Sequence, residues 1–247
     1  MPGATVALLA AIAFLTALLS GIFGMAGGLL LMGALAWMLP VSAAFVTHGI
    51  LQVVANGWRA VLHRRHIRLR ILGNYAIASV VAGVFVSAIA FMPSRSLLFL
   101  LLGLVAMLVW LPKRWLHLDA EKTPHALASG FLVTLVNLTA GVAGPLLDVF
   151  FVRTALTRHE IVATKAATQV FSHAAKIAVY GAPLLAAPQA MPPWWAFALA
   201  ISASIVGTAL GARILDRISD VDFKRWTAWI VTAIGLAYLA KAAQLMA

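Results

Sequence analysis

Polar positions in this chain come in short bursts between long apolar blocks. The blocks fall at about 4–39, 42–63, 71–91 and 95–111. After the polar stretch "LPKRWLHLDAEKTPH" they resume at about 125–152, 160–182, 193–212 and 226–246. A membrane-crossing helix needs roughly 20 predominantly apolar residues, so the pattern predicts an all-α integral membrane protein. The first block of each set is the longest, and each is interrupted by glycines. "GIFGMAGGLLLMGA" (21–34) carries four glycines within eight residues of a run that has no charge.

The two sets of blocks superpose. "GMAGGLL" (24–30) lies on "GVAGPLL" (141–147), 117 positions later. The same offset, without a gap, lays "VTHGILQVVANGWR" (46–59) on "ATKAATQVFSHAAK" (163–176), so that Thr47 meets Thr164, Gln52 meets Gln169 and Arg59 meets Lys176. Coincident Gly, Thr, Gln and cation positions point to an internal repeat, with a first copy over 1–112, a linker over 113–124 and a second copy over 125–247, together one membrane domain.

Loop charge gives the copies opposite orientations. "HRRHIRLR" (63–70) holds four arginines and its counterpart "YGAPLLAA" (180–187) holds no charge. "LPVSAA" (39–44) is uncharged and "RTALTRH" (153–159) is basic, while "MPSR" (92–95) stands against "RILDRISDVDFKR" (213–225), which has four Lys or Arg. Lys and Arg concentrate in cytoplasmic loops. The pattern therefore predicts an inverted repeat, with loops 63–70, 112–124, 153–159 and 213–225 cytoplasmic and both termini outside. Inverted repeats of this kind mark secondary transporters.

Inversion makes block 125–152 enter and leave on one side. Two arms of about 14 residues reach only about 21 Å each, short of a hydrocarbon core of roughly 30 Å. A re-entrant or broken helical hairpin is expected there, with block 4–39 as its inverted twin and three transmembrane helices after each. Gly21, Gly24, Gly27 and Gly28 would form the first tip. The second arms would begin at Gly28 and at Pro145, a residue suited to a first helical turn. Helix N-termini meeting in a central volume favour an anion. Close helix packing through small residues such as Gly24 and Gly28 is the alternative.

The block after each hairpin is the least membrane-like of its half. His48, Gln52, Asn56, Arg59 and His63 share one helical stripe, as do Lys165, Gln169, Ser172, His173 and Lys176. A cation near the bilayer centre costs roughly 2.5–3.5 kcal/mol even on lenient scales, so both stripes should face each other or a wet cavity. Plainer roles stand beside this reading. Arg59, His63 and Lys176 can snorkel to an interface. Lys165 can pair with Asp148, the one carboxylate well inside an apolar block. The glutamines can hold helices together, and His48 and His173 can be hydrogen-bonded packing residues.

Composition narrows the classes. The chain is 63% hydrophobic and 10% charged, with a mean hydropathy of +1.00. Its pI near 11.2 would suggest nucleic acid in a soluble chain. In a membrane chain it reads as basic cytoplasmic loops, contact with anionic lipid, or an anionic substrate. Nucleic acid is not an expected partner. The absence of cysteine excludes disulfides and thiolate metal sites, and no metal or cofactor is expected. The first Lys or Arg is Arg59, so the start lacks a signal peptide's basic region. Gly-x-Ser-x-Gly and His-Glu-x-x-His are missing, and no pair of membrane carboxylates occurs, so nothing points to an intramembrane enzyme. A non-transporting membrane subunit, its polar stripes serving assembly, and a transporter of another small anion are the remaining alternatives, and the sequence is silent on oligomeric state.

The glycine segment and "GVAGPLL…VATKAATQVFSHAAKIAVYG" resemble the TauE/SafE family of sulfite and organosulfonate exporters, small multi-pass proteins of the bacterial inner membrane. The family's first motif, G-x-G-G-G with a proline five residues on, corresponds here to Gly24, Met25, Ala26, Gly27 and Gly28, departing from it at Ala26 and at Gly33, which stands in the proline position. The second half matches through Gly141, Gly144, Pro145, Ala163, Thr164, Gln169 and Lys176. The resemblance implies export of sulfite or a small sulfonate from the cytoplasm. With the repeat, it leads to an expected binding set of Gly27, Gly28, Gln52, Gly144, Lys165 and Gln169. Arg59 and Lys176 would mark the inner and outer approaches, and His48, His173 or Asp148 would carry a coupled proton.

Overall fold

The computed structural model describes residues 3–23, 25–111, 117–151, 153–185, 190–215 and 220–247. Gly24, part of the linker (112–116) and part of the last basic loop (216–219) lie outside the described residues. Among those described, all regular structure is helical: α1 (Gly3–Phe23), α2 (Met25–Met38), α3 (Val41–Leu62), α4 (Leu69–Ala88), α5 (Arg95–Met107), α6 (Thr123–Ala140), α7 (Gly144–Phe151), α8 (Arg158–Leu185), α9 (Trp194–Leu215) and α10 (Asp220–Met246). Four are long and apolar enough to cross a membrane: Gly3–Phe23, Leu69–Ala88, Trp194–Ile214 and Arg225–Met246. The helices α3 and α8 are as long, 22 and 28 residues. They carry the polar stripes and pack on each other at the centre.

Both long first blocks are broken helices with unequal arms, in place of two arms of about 14 residues. Helix α1 has 21 residues and α2 has 14, or about 31 and 21 Å. Helix α6 has 18 residues and α7 has 8, about 27 and 12 Å. The second break is set by Gly141, whose φ of 79° is left-handed and natural only to glycine. Proline at 145 starts α7 where its missing N–H costs nothing.

Two glycines expected at the first tip serve packing. Gly21 lies inside α1 against α9, where an added Cβ would come within 2.9 Å of the Gly211 Cα. An added Cβ on Gly27 would run into the Thr16 backbone oxygen and crowd Ser20. The small side of α2 thus lets α2 fold back tightly on α1. Gly28 lies in the first turn of α2, and the second arm begins before it, at Met25.

Helix pairing follows a regular scheme. Helix α1 packs on α9, and α6 packs on α4; α3 pairs with α8, and α5 with α10. Each pairing maps onto itself or onto another when every helix is exchanged with the one five places along. The basic segments gather at one end. The Arg68 N–H donates to Thr164 Oγ1 (3.0 Å), and its guanidinium pairs with Glu160 (2.7 Å). Arg70 donates to Thr123 Oγ1 (3.0 Å), and the Ala155 N–H to Glu121 Oε2 (2.8 Å). Segments 63–70, 117–124 and 153–160 therefore share a face. Arg95, donating to the Leu39 carbonyl (3.1 Å), ties together the two turns that the charge pattern places on the opposite side. "TRHE" (157–160) forms a capping box at the start of α8. The Thr157 N–H donates to Glu160 Oε2 (2.9 Å), and the Glu160 N–H to Thr157 Oγ1 (3.4 Å).

Candidate anion site between the helix breaks

The polar stripes of α3 and α8 face each other because neither can face lipid cheaply. His48 and His173 meet with ring centroids 5.3 Å apart and planes tilted by 60°, and both are buried. Between these helices and the two breaks lies a cavity of about 30 Å³, lined among others by Gly28, Gln52, Asn137, Gly144, Gln169 and His173. That volume holds roughly one or two water molecules. Ser20, His48, Ser172, Val142 and Ala143 complete much of its polar and backbone wall.

The amides offer their polar ends to this space. Gln52 Oε1 accepts from Asn56 Nδ2 (3.1 Å). Its Nε2 faces Gly28, so near that an added Cβ there would lie 3.2 Å away. The side chain of Gln169 makes no hydrogen bond to another described residue, and only its backbone carbonyl is used, by Ser172. Helix α7 starts on the cavity wall at Gly144, and the first-turn N–H groups of a helix lack intrahelical acceptors.

Two cations hold the ends of the first arms. Arg59 donates to the Ser20 carbonyl in the last turn of α1 (3.1 Å) and reaches Asn56 Oδ1 at 3.5 Å. Lys176 donates to the Gly141 carbonyl at the end of α6. Both satisfy carbonyls left open at a helix C-terminus and complement its partial negative charge. Arg59 and Lys176 are the two cations 117 positions apart. Lys176 is fully buried and reaches His48 on the cavity wall. Its ammonium also meets His48 Nδ1 at 3.2 Å, and His48 Nε2 lies 3.0 Å from the Gly28 carbonyl. A carbonyl only accepts, so Nε2 carries the proton and Nδ1 accepts from Lys176. One chain of hydrogen bonds thus joins the two breaks, from Gly28 through His48 and Lys176 to Gly141.

The structure separates the sequence-derived set. Gly28, Gln52, Gly144, Gln169, His48 and His173 share the cavity. Gly27 faces α1. Lys165 forms an ion pair with Asp148 that links α8 to α7, half-buried and off the cavity lining. Lys165 therefore sits apart from the glutamines, because the carboxylate one helix away is its nearer partner. Sequence reasoning missed Ser20 and Asn137 on the wall. They are themselves 117 positions apart, and that polar coincidence was the available signal.

A helical membrane protein with a buried polar cavity closed between two broken helices is built as a membrane transporter. The chain belongs to the sulfite exporter TauE/SafE family, whose model matches residues 9–238. Members of that family are membrane transporters. Comparison with curated proteins and with solved structures returned no match.

Proposed function

We propose that this chain is a secondary transporter of the bacterial inner membrane that exports sulfite or a small organosulfonate, and that the anion binds between the two helix breaks. The observation that carries this reading is the meeting of both breaks with Gln52 and Gln169 in one buried cavity. Neutral donors from the glutamines and the start of α7 take the anion's oxygens, and Lys176 supplies positive charge from behind His48. We assign the charge to Lys176 in place of Lys165, which Asp148 already neutralises. Binding through neutral donors, with Lys176 behind His48 and Arg59 behind Gln52 both off the cavity lining, keeps release possible.

The two copies, 1–112 and 125–247, form an inverted repeat in this reading. The pairing scheme supports it, and so does helix direction. Helix α1 ends beside Arg59, close to the basic segment 63–70, whereas α6 begins beside Arg70 in that same segment. The first arms therefore run oppositely. The cavity is too small for an oxyanion with its contacts, so transport requires the hairpins to shift against α3 and α8, the rocking expected of inverted repeats. Outward movement of an anion from a negative interior is favoured by roughly 2.3 kcal/mol per charge per 100 mV, which drives export without a coupling ion.

The test is sulfite efflux from liposomes containing only the purified protein. Saturable efflux that Gln52→Ala and Gln169→Ala weaken supports the reading. Absence of flux with correctly folded protein would favour a non-transporting subunit.

A further inference from the structure

We propose that the site selects an oxyanion that still carries a proton, hydrogen sulfite or a chemically equivalent monoprotonated anion, and that Asn137 makes the selection. This rests on the cavity being the anion site. Asn137 lies on α6, 1% exposed, and lines the cavity. Its Nδ2 donates to the Ser172 backbone carbonyl at 3.0 Å and lies 3.4 Å from His173 Nδ1. A carbonyl oxygen cannot donate, so the amide nitrogen is fixed on that side and the orientation cannot be reversed. Asn137 Oδ1 is then a pure acceptor. It is buried and has no hydrogen-bond partner.

A buried oxygen left unpaired is destabilising, and natural structures rarely keep one without a reason. Here it belongs to a residue on the wall of a polar cavity. The other groups there include the donors Gln52 Nε2 and the start of α7, beside the Gln169 amide, which offers both a donor and an acceptor. Donors together with an acceptor fixed in orientation complement an anion with several bare oxygens and one bound proton. A fully deprotonated anion would place an oxygen lone pair against Oδ1 and leave the acceptor unmet. Sites built to bond a substrate hydrogen reject the analogue that lacks it far better than apolar pockets reject a missing methylene.

The titratable groups around the cavity are His48 of α3, His173 and Lys176 of α8, and Tyr75 of α4, with Arg59 behind Gln52. The experiment must therefore separate their protonation from that of the ligand. Dissociation constants of the purified full-length protein are measured across the pH range in which hydrogen sulfite loses its proton. Methanesulfonate, which stays deprotonated throughout, is the comparator. Sulfite affinity, counted as total sulfite, should fall roughly tenfold per pH unit above that range, the slope of one proton. Methanesulfonate should bind more weakly and with no such slope. Asn137→Ala should flatten the sulfite profile; if it fails to fold, the wild-type comparison still decides. A flat sulfite profile, as when a water molecule meets Oδ1, overturns the inference. So does a fall shared by both anions, which assigns the proton to the protein. Unchanged binding of both anions in Gln52→Ala would instead remove the cavity as the anion site.

Discussion

Gly27 and Gly28 are adjacent in the chain and meet opposite surroundings. A side chain on Gly27 collides with the backbone of α1, whereas one on Gly28 meets only the mobile end of Gln52. Gly27→Ala should therefore destabilise the fold, by about 1–3 kcal/mol as for other overpacked positions. Gly28→Ala should fold normally and weaken anion binding by displacing Gln52. Thermal unfolding in detergent, with and without sulfite, checks both. Lys176 and Lys165 divide similarly. Lys176→Met leaves the Gly141 carbonyl and His48 Nδ1 without their donor. It should lower stability by about 1–3 kcal/mol, the usual cost of an unsatisfied buried group, and abolish flux. Lys165→Met paired with Asp148→Leu removes both members of an ion pair off the cavity lining and should leave the half-saturating sulfite concentration unchanged. A large change there would return Lys165 to the site.

At the scale of helices, the sequence revealed the breaks better than the arms. Glycine and proline at 141–145 disclose a discontinuity through backbone sterics, which is local information. The lengths of α1 and α6 depend on their contacts with α9 and α4, and the apolar composition on either side of a break is the same. For the same reason the sequence pairs Arg59 with Lys176 but does not disclose the carbonyls that they meet. Their role depends on where α1 and α6 end in space. The capping box of α8 was fully local, written in Thr157 and Glu160. Thr157→Ala should lower stability by about 0.5–2 kcal/mol, the normal cost of a lost N-cap, with flux retained in the folded fraction. Unfolding midpoints alongside liposome flux would show the separation. Equal losses of both would instead give this corner of the molecule a part in transport.

Across the whole molecule, polar coincidences 117 positions apart stand out against an apolar background, and the helix pairing agrees with the repeat proposed from them. Asn137 escaped notice because its partner position holds Ser20, a different residue that serves the same wall. What the repeat adds at this scale is orientation. Segments 63–70, 117–124 and 153–160 meet at one end through contacts from Arg68, Arg70, Glu121 and Glu160, and Lys and Arg near helix ends favour the cytoplasm. All three segments should therefore be shielded from the outside in intact cells, while the turns around Pro40 and Ser94, joined by Arg95, should be reachable. The chain has no cysteine, so single cysteines at 65, 122, 42 and 94 can each be tested with an impermeant thiol reagent. Labelling of Ser42→Cys and Ser94→Cys, with Arg65→Cys and Lys122→Cys protected until the membrane is opened, is the expected result. Among the described residues the α-helices between Arg65 and Lys122 are α4 and α5, so in the expected topology two crossings return the chain to the side it left, whereas equivalent points of inverted copies are an odd number of crossings apart. External labelling at one of Arg65→Cys and Lys122→Cys but not the other would break that parity, and the inverted arrangement of the two hairpins around the cavity would fall with it; external labelling at both would reverse the assigned orientation.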